Sequence, residues 1–305
     1  MKVAYVTPYD ARDVRSWSGT GHYITRSLER AGGELQYVGP LKRQYHPVNV
    51  ARYLWNTKVR GLNDHPHRAP GYLRHYARQA ERMIAAGDAR VVFGPGGLPL
   101  AHLETDLPIV LWTDCTFASL LDYYGTFSNM SARSIRDGHA ADQSLFDRCD
   151  LAFFSCRWAA DSAVEDYGFP RDRIELVSFG ANVPDERTEE DVERFLAQRP
   201  DDRVRLLFMG VDWERKGGDI ALEAARMLHE RGVAVELNCV GCGPPEGTPV
   251  PEYVNLLGFI AKSTAEGVAR INDLLATSHV FLLPTRADCT PIVLCEAATF
   301  GLPAV

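Results

Sequence analysis

Three observations in the 305-residue sequence predict an α/β protein of two Rossmann-like domains, each a doubly wound parallel sheet. Short apolar runs rich in β-branched residues recur without alternation, which is the pattern of strands buried on both faces. Segments with helical spacing separate those runs, the order expected of parallel strands joined by crossover helices. A charged gap over 182–203, holding Pro184 and Pro200, splits the runs into two sets.

In the first set, strands are predicted at 3–7, 35–38, 91–93, 109–113, 151–155 and 174–177. Between 73 and 84, Leu73, Tyr76, Ala77, Ala80, Met83 and Ile84 fall on one helical face. The gap carries a short helix at 189–198. Strands of the second set are predicted at 204–209, 233–240, 254–257 and 280–283. A helix at 220–231 gathers Ile220, Ala221, Ala224, Ala225 and Leu228 on one side, and another runs through Leu275. The domains are therefore set at 1–183 and 203–305, with a linker at 184–202. Residues 302–305 read as the start of a further strand, so the second domain is expected to be incomplete, with an open sheet edge.

Hydrophobic residues make up 46% of the chain, enough for substantial cores. A net charge of −7 argues against a nucleic-acid binder. No run approaches the roughly 20 apolar residues of a membrane helix. The apolar opening stops at Pro8, too early for a signal peptide, so the expected location is cytoplasmic, with peripheral contact at the inner membrane face as an option. The seven cysteines form no dense framework and read as free thiols. Cys239 and Cys242 make a C-x-x-C, but zinc would need two more ligands. Pro244 and Pro245 follow where a redox pair would want a helix. No metal site and no cofactor are predicted.

The chemistry concentrates in the second set. The strand at 280–283 stops at Pro284, a loop presents Asp288, and Glu296 follows eight positions later on a new helix. A helix N-terminus suits phosphate, and an acid one or two turns inside suits ribose hydroxyls. The plain reading is a strand, a turn and a buried helix with two incidental acids. Upstream, the strand at 204–209 enters a turn containing Arg215, Lys216 and Gly217 before the next helix. Two fixed cations before a helix N-terminus would suit an anion, or be a solvated turn. Gly241 and Gly243 follow a strand and would let backbone approach a base, or simply close a turn. Gly19 and Gly21, followed by His22, are too few glycines for the dinucleotide fingerprint. Asp114 ends the strand at 109–113. By its position alone it reads as a cap for the next helix.

These segments together resemble retaining glycosyltransferases of family 4, which have the GT-B fold. Asp288 and Glu296 stand at the two acidic positions of that family's E-x7-E signature. Cys289, Thr290 and Pro291 replace its usual Gly-Phe-Gly. Lys216 matches the phosphate-gripping lysine. Val211 occupies the place of a common arginine, for which Arg215 is the expected substitute. The resemblance is strong over 204–305 and diffuse over 1–183, where 155–158 and 177–182 resemble structural closing segments.

The resemblance implies transfer of a sugar from a nucleotide-diphosphate sugar to a sugar, lipid-linked or small-molecule acceptor, with retention and without metal. Catalytic contacts would come from Asp288, Lys216, Arg215 and Asp114. Donor contacts would come from Glu296, Gly19, Gly21, Gly241, Gly243, Thr290 and Pro291, in a cleft between domains. It also implies a chain truncated within its second domain, since relatives continue further. The alternatives are another GT-B enzyme, an epimerase or phosphorylase, and a catalytically silent nucleotide-sugar-binding module.

One segment stands outside this scheme. Residues 40–82 hold nine Lys or Arg against Asp64 and Glu81, with Tyr45, Tyr53, Trp55, Tyr72 and Tyr76 among them. They read as a basic, aromatic surface for an anionic acceptor or membrane leaflet, or as an amphipathic helix with a solvated face.

Overall fold

A computed structural model of the chain describes residues 1–44, 46–183 and 187–305. Tyr45 of the aromatic segment and Pro184 of the linker lie outside the described residues. Two compact units emerge, Met1–Ser178 and Phe179–Val305.

In the first unit the strands are β1 (Lys2–Val6), β2 (Glu34–Val38), β3 (Val91–Gly94), β4 (Ile109–Thr113), β5 (Leu151–Phe154) and β6 (Ile174–Leu176). They form one six-stranded sheet, ordered β2-β1-β3-β4-β5-β6, with every pair parallel. The helices are α1 (Thr20–Arg30), α2 (Pro47–Leu54), α3 (Pro70–Ala85), α4 (Phe117–Leu120), α5 (Ala132–Phe146) and α6 (Arg157–Tyr167). β1 lies inside the sheet and buries Val3 through Val6, as its unbroken apolar run requires. One core joins the sheet to α3, α5 and α6 through Leu73, Leu111, Leu145, Phe154 and Ala163.

α3 answers part of the question left open at 40–82. Its apolar stripe is core: Leu73, Tyr76, Ala77, Ala80 and Ile84 are all buried. Tyr72 and Tyr76 are buried too, with hydroxyls 3.0 Å apart. Neither contributes to a surface.

The second unit contains α7 (Glu189–Ala197), β7 (Val204–Met209), α8 (Gly218–Glu230), β8 (Val235–Val240), β9 (Val254–Gly258), α9 (Ala265–Thr277), β10 (Val280–Phe281) and α10 (Ile292–Ala298). Its sheet is parallel, ordered β10-β7-β8-β9. Pro303 and Val305 run alongside β10, with Phe281 N donating to Pro303 O at 2.8 Å and Val305 N to Phe281 O at 2.9 Å. β7 shows how period-2 sequence builds two layers. Leu206 and Phe208 pack against Ala221 and Ala225 of α8, whereas Leu207 and Met209 pack with α9 and α10. The helix expected inside a linker is α7, and it docks on this unit. Phe195 and Phe300 lie 4.9 Å apart, and Arg199 donates to the carbonyls of Phe300 and Gly301. Among the described residues no helix is long and apolar enough to cross a membrane.

Candidate functional site

Parallel sheets present their βα loops at the carboxyl ends of the strands, and open α/β sheets bind ligands there. In the second unit that edge carries the loops after β7, β8, β9 and β10.

The β7 loop is shaped by Asp212. Its carbonyl accepts from Lys216 N at 3.0 Å, and its carboxylate accepts from Arg215 N at 3.1 Å. Gly217 then caps α8 with φ +75°, in the left-handed region that only glycine enters freely. A Cβ there would lie 2.0 Å from Pro284 O, so the position also demands bare backbone. Main chain of the β7 loop thus touches main chain of the β10 loop.

Polar clamps join the same two loops. Arg286 N donates to Arg215 O at 2.8 Å and Thr285 Oγ1 to the same oxygen at 3.0 Å. Arg215 Nη1 returns a bond to Ala287 O at 2.9 Å. Arg286 reaches Glu214 O at 2.6 Å and grips both Asp219 oxygens at 2.8 and 2.7 Å. That hydrogen bond is the main reason the Asp219 carboxyl is held below its ordinary value.

Held this way, Lys216 Nζ pairs directly with the Asp288 carboxylate. Both side chains are only 12% exposed. The structure therefore brings Lys216, Arg215 and Asp288 together, although Arg215 is engaged by the Ala287 carbonyl and Asp212.

Glu296 sits on α10, which is two turns long and N-capped by Pro291. Its side chain is 2% exposed, and Lys262 Nζ donates to both of its oxygens at 2.6 and 2.5 Å. Burial pushes the carboxyl up, and Lys262 works against that shift. Lys262 was missed in the sequence. The available signal was a lysine between the end of β9 and Thr264, the N-cap of α9, on the same sheet edge. Arg286 was missed as well. Thr290 and Pro291 are half-buried in the turn leading into α10.

Gly241 follows β8 with φ +96°, and a Cβ there would meet Gly210 O at 2.2 Å. Its backbone closes against the start of the β7 loop. Gly243 carries no such demand, since a Cβ would make ordinary contact with Leu256 at 3.5 Å. Cys239 is buried, and burial pushes its thiol up to about 12, a poor setting for thiolate chemistry. Among the described residues no cluster of His, Cys, Asp and Glu could hold a metal ion.

In the first unit Gly19 is the left-handed N-cap of α1, preceded by Trp17 and Ser18, also at positive φ. Gly21 lies inside α1, its carbonyl accepting from Tyr5 Oη at 2.8 Å. The buried Nδ1 of His22 has no hydrogen-bond partner. Asp114 follows β4 half-buried and does not cap α4. Thr116 does so, in a reciprocal capping box with Ser119.

Residues 203–305 match the family model described as glycosyl transferases group 1. WcaL of Escherichia coli strain K12, described as a candidate colanic acid biosynthesis glycosyltransferase, is 30% identical over 232 residues, covering 70% of this chain and 51% of WcaL. The chain thus spans about half the length of that relative. Sucrose-phosphate synthase of Thermosynechococcus elongatus superposes with TM-score 0.63 at 12% identity, covering 100% of this chain and 80% of that one. Anabaena HepE, solved in complex with UDP and glucose, superposes with TM-score 0.52 at 13% identity, covering 100% and 80%. The architecture is that of GT-B glycosyltransferases: two parallel-sheet α/β domains, the second the smaller.

Proposed function

We propose that this protein is a retaining glycosyltransferase of the family 4 type, which moves a sugar from a nucleotide-diphosphate sugar to an acceptor. The observation that carries this reading is the Lys216–Asp288 pair, clamped on the same sheet edge as buried Glu296. The group 1 match over that region supports it, as does the UDP and glucose complex of the structurally similar HepE.

In this reading the donor diphosphate takes Lys216 from Asp288. The lysine and the amides at the start of α8 then neutralise the charge that grows as the bond from the sugar's anomeric carbon to phosphate oxygen breaks. Asp288, released, faces the sugar and stabilises its developing positive charge. The acceptor oxygen bonds to the anomeric carbon on the face the phosphate leaves, and its proton passes to a phosphate oxygen. Glu296 holds the ribose, and Lys262 partly offsets the burial that disfavours its charged form. Arg215 positions the β10 loop through Ala287. Backbone at Gly241 and Gly243 borders the base.

A second reading is binding without turnover. Its support is Val211 in the place of the family's arginine and Cys289–Thr290–Pro291 in place of Gly-Phe-Gly. Turnover of a panel of UDP-, GDP- and ADP-sugars separates the two. Lys216→Ala is expected to lower the rate about 10²–10³-fold. A variant as active as the parent would sink the site assignment.

A further inference from the structure

The surface helix α2 and the π-helical turn that continues it, Trp55–Val59, are amphipathic in the reverse sense. Their inward side is polar. Asn49, Arg52 and Asn56, spaced by three and four, share one face. Asn56 is buried; it donates to Asp64 Oδ2 at 3.2 Å and accepts from Arg60 at 3.3 Å. Arg52 lies 3.5 Å from the same carboxylate and donates to Asn49 Oδ1 at 3.2 Å. Asp64 is in turn held by Ser131 and Ser134 at the start of α5. The outward side is apolar: Val48, Val50, Tyr53, Leu54, Trp55 and Val59 are between 39% and 63% exposed. α2 buries none of its own residues. Large apolar side chains exposed together on one short element mark a binding surface.

Charge says what kind. No Asp or Glu occurs between Glu34 and Asp64, while Lys42, Arg43, Arg52, Lys58 and Arg60 do, in a chain of net charge −7. Lys42, Arg43, Lys58 and Arg60 are exposed. We propose that this helix docks the protein on an anionic lipid bilayer, lying in the plane of the interface. Leu54, Trp55, Val48 and Val59 would enter the headgroup–acyl boundary, and the four cations would meet lipid phosphates. Tyr and Trp suit that depth, apolar in body and polar at one end. A second copy is the poorer occupant, because an isologous contact would set two basic patches against each other. The inference stands apart from the transferase reading.

The test is co-sedimentation of the whole chain with vesicles. Binding is expected to vesicles of phosphatidylcholine with phosphatidylglycerol, not to phosphatidylcholine alone, and to be released by salt. Leu54→Ser with Trp55→Ser should lower partitioning at least about tenfold. Lys42→Glu with Lys58→Glu should lower it by a similar factor. Circular dichroism confirms that the variants are folded. Bromolipid quenching of wild-type tryptophan fluorescence, reduced in Trp55→Phe, places the contact without the serine variants. Binding indifferent to phosphatidylglycerol, or undiminished in both double variants, overturns the proposal. So does a dimer that Leu54→Ser with Trp55→Ser dissolves while vesicles leave the protein in solution.

Discussion

At the scale of single residues, two lysines, Lys216 paired with Asp288 and Lys262 paired with Glu296, decide the character of the second unit's edge. Lys262 lies a third exposed and neutralises a carboxylate that is almost fully buried. Removing one partner of such a pair leaves the other charge stranded. Because solvent reaches Lys262, Lys262→Met is expected to cost about 1–3 kcal/mol, read from urea denaturation. The double variant with Glu296→Gln should recover most of that loss. The pH dependence has a definite sign. Burial raises the Glu296 carboxyl above 4.5, its ordinary value, so the folded chain holds this proton more tightly than the unfolded one. Its contribution to stability is therefore full below 4.5 and fades as pH rises through the raised value. From 4.5 up through the raised value, wild type should lose stability relative to Glu296→Gln; parallel pH curves would show that burial does not act as described. Sequence spacing located Glu296 but not its counter-ion. The ion pair joins the segment after β9 to helix α10, although β9 and β10 are the two edge strands of the sheet; packing of Leu257 and Ile260 on the same core as Val293 and Leu294 brings them together.

Elements obey simpler rules. The continuous apolar runs at β1 and β7 were readable because strands covered on both faces leave few polar positions. The helix after β7 was readable from its 3.6-residue stripe. β10 is harder, with two residues in regular pairing, and its continuation through Leu283 shows only in the bonds to Leu207 and Val305. α2 runs against the usual pattern. Its apolar residues stay exposed, because Asp64 draws the polar side inward. No local pattern encodes a partner on a separate loop. The Gly217–Pro284 contact yields a prediction at this scale. Gly217→Ala meets both a left-handed backbone and a carbonyl 2.0 Å from the new Cβ. A loss of at least about 2 kcal/mol is expected, with weakened nucleotide binding as the β7 and β10 loops part. Gly243→Ala, where a Cβ makes ordinary contact, is the control and should leave stability within about 0.5–1 kcal/mol.

For the molecule as a whole, the informative measurement is thermal unfolding with UDP, GDP and ADP. A nucleotide present at about 100 times its dissociation constant adds roughly 2.7 kcal/mol to the stability of the form that binds it. One base is expected to raise the melting temperature more than the other two, and Glu296→Ala should abolish the rise. Equal indifference to all three would remove the donor reading. The charge of the chain is uneven on the same scale. Its overall sign is negative, while residues 35–63 carry cations and no acid. A single net value hides that asymmetry.

The polar staple beneath α2 bears on the speed of any landing. Many surface-seeking peptides are coils in water and must become helical on arrival, so ordering entropy opposes their association. In this chain Asn49, Arg52 and Asn56 hold the helix in shape beforehand. Capture by a target should then be a rigid-body encounter, fast and steered by charge, with its helical signal in circular dichroism unchanged between free and bound protein.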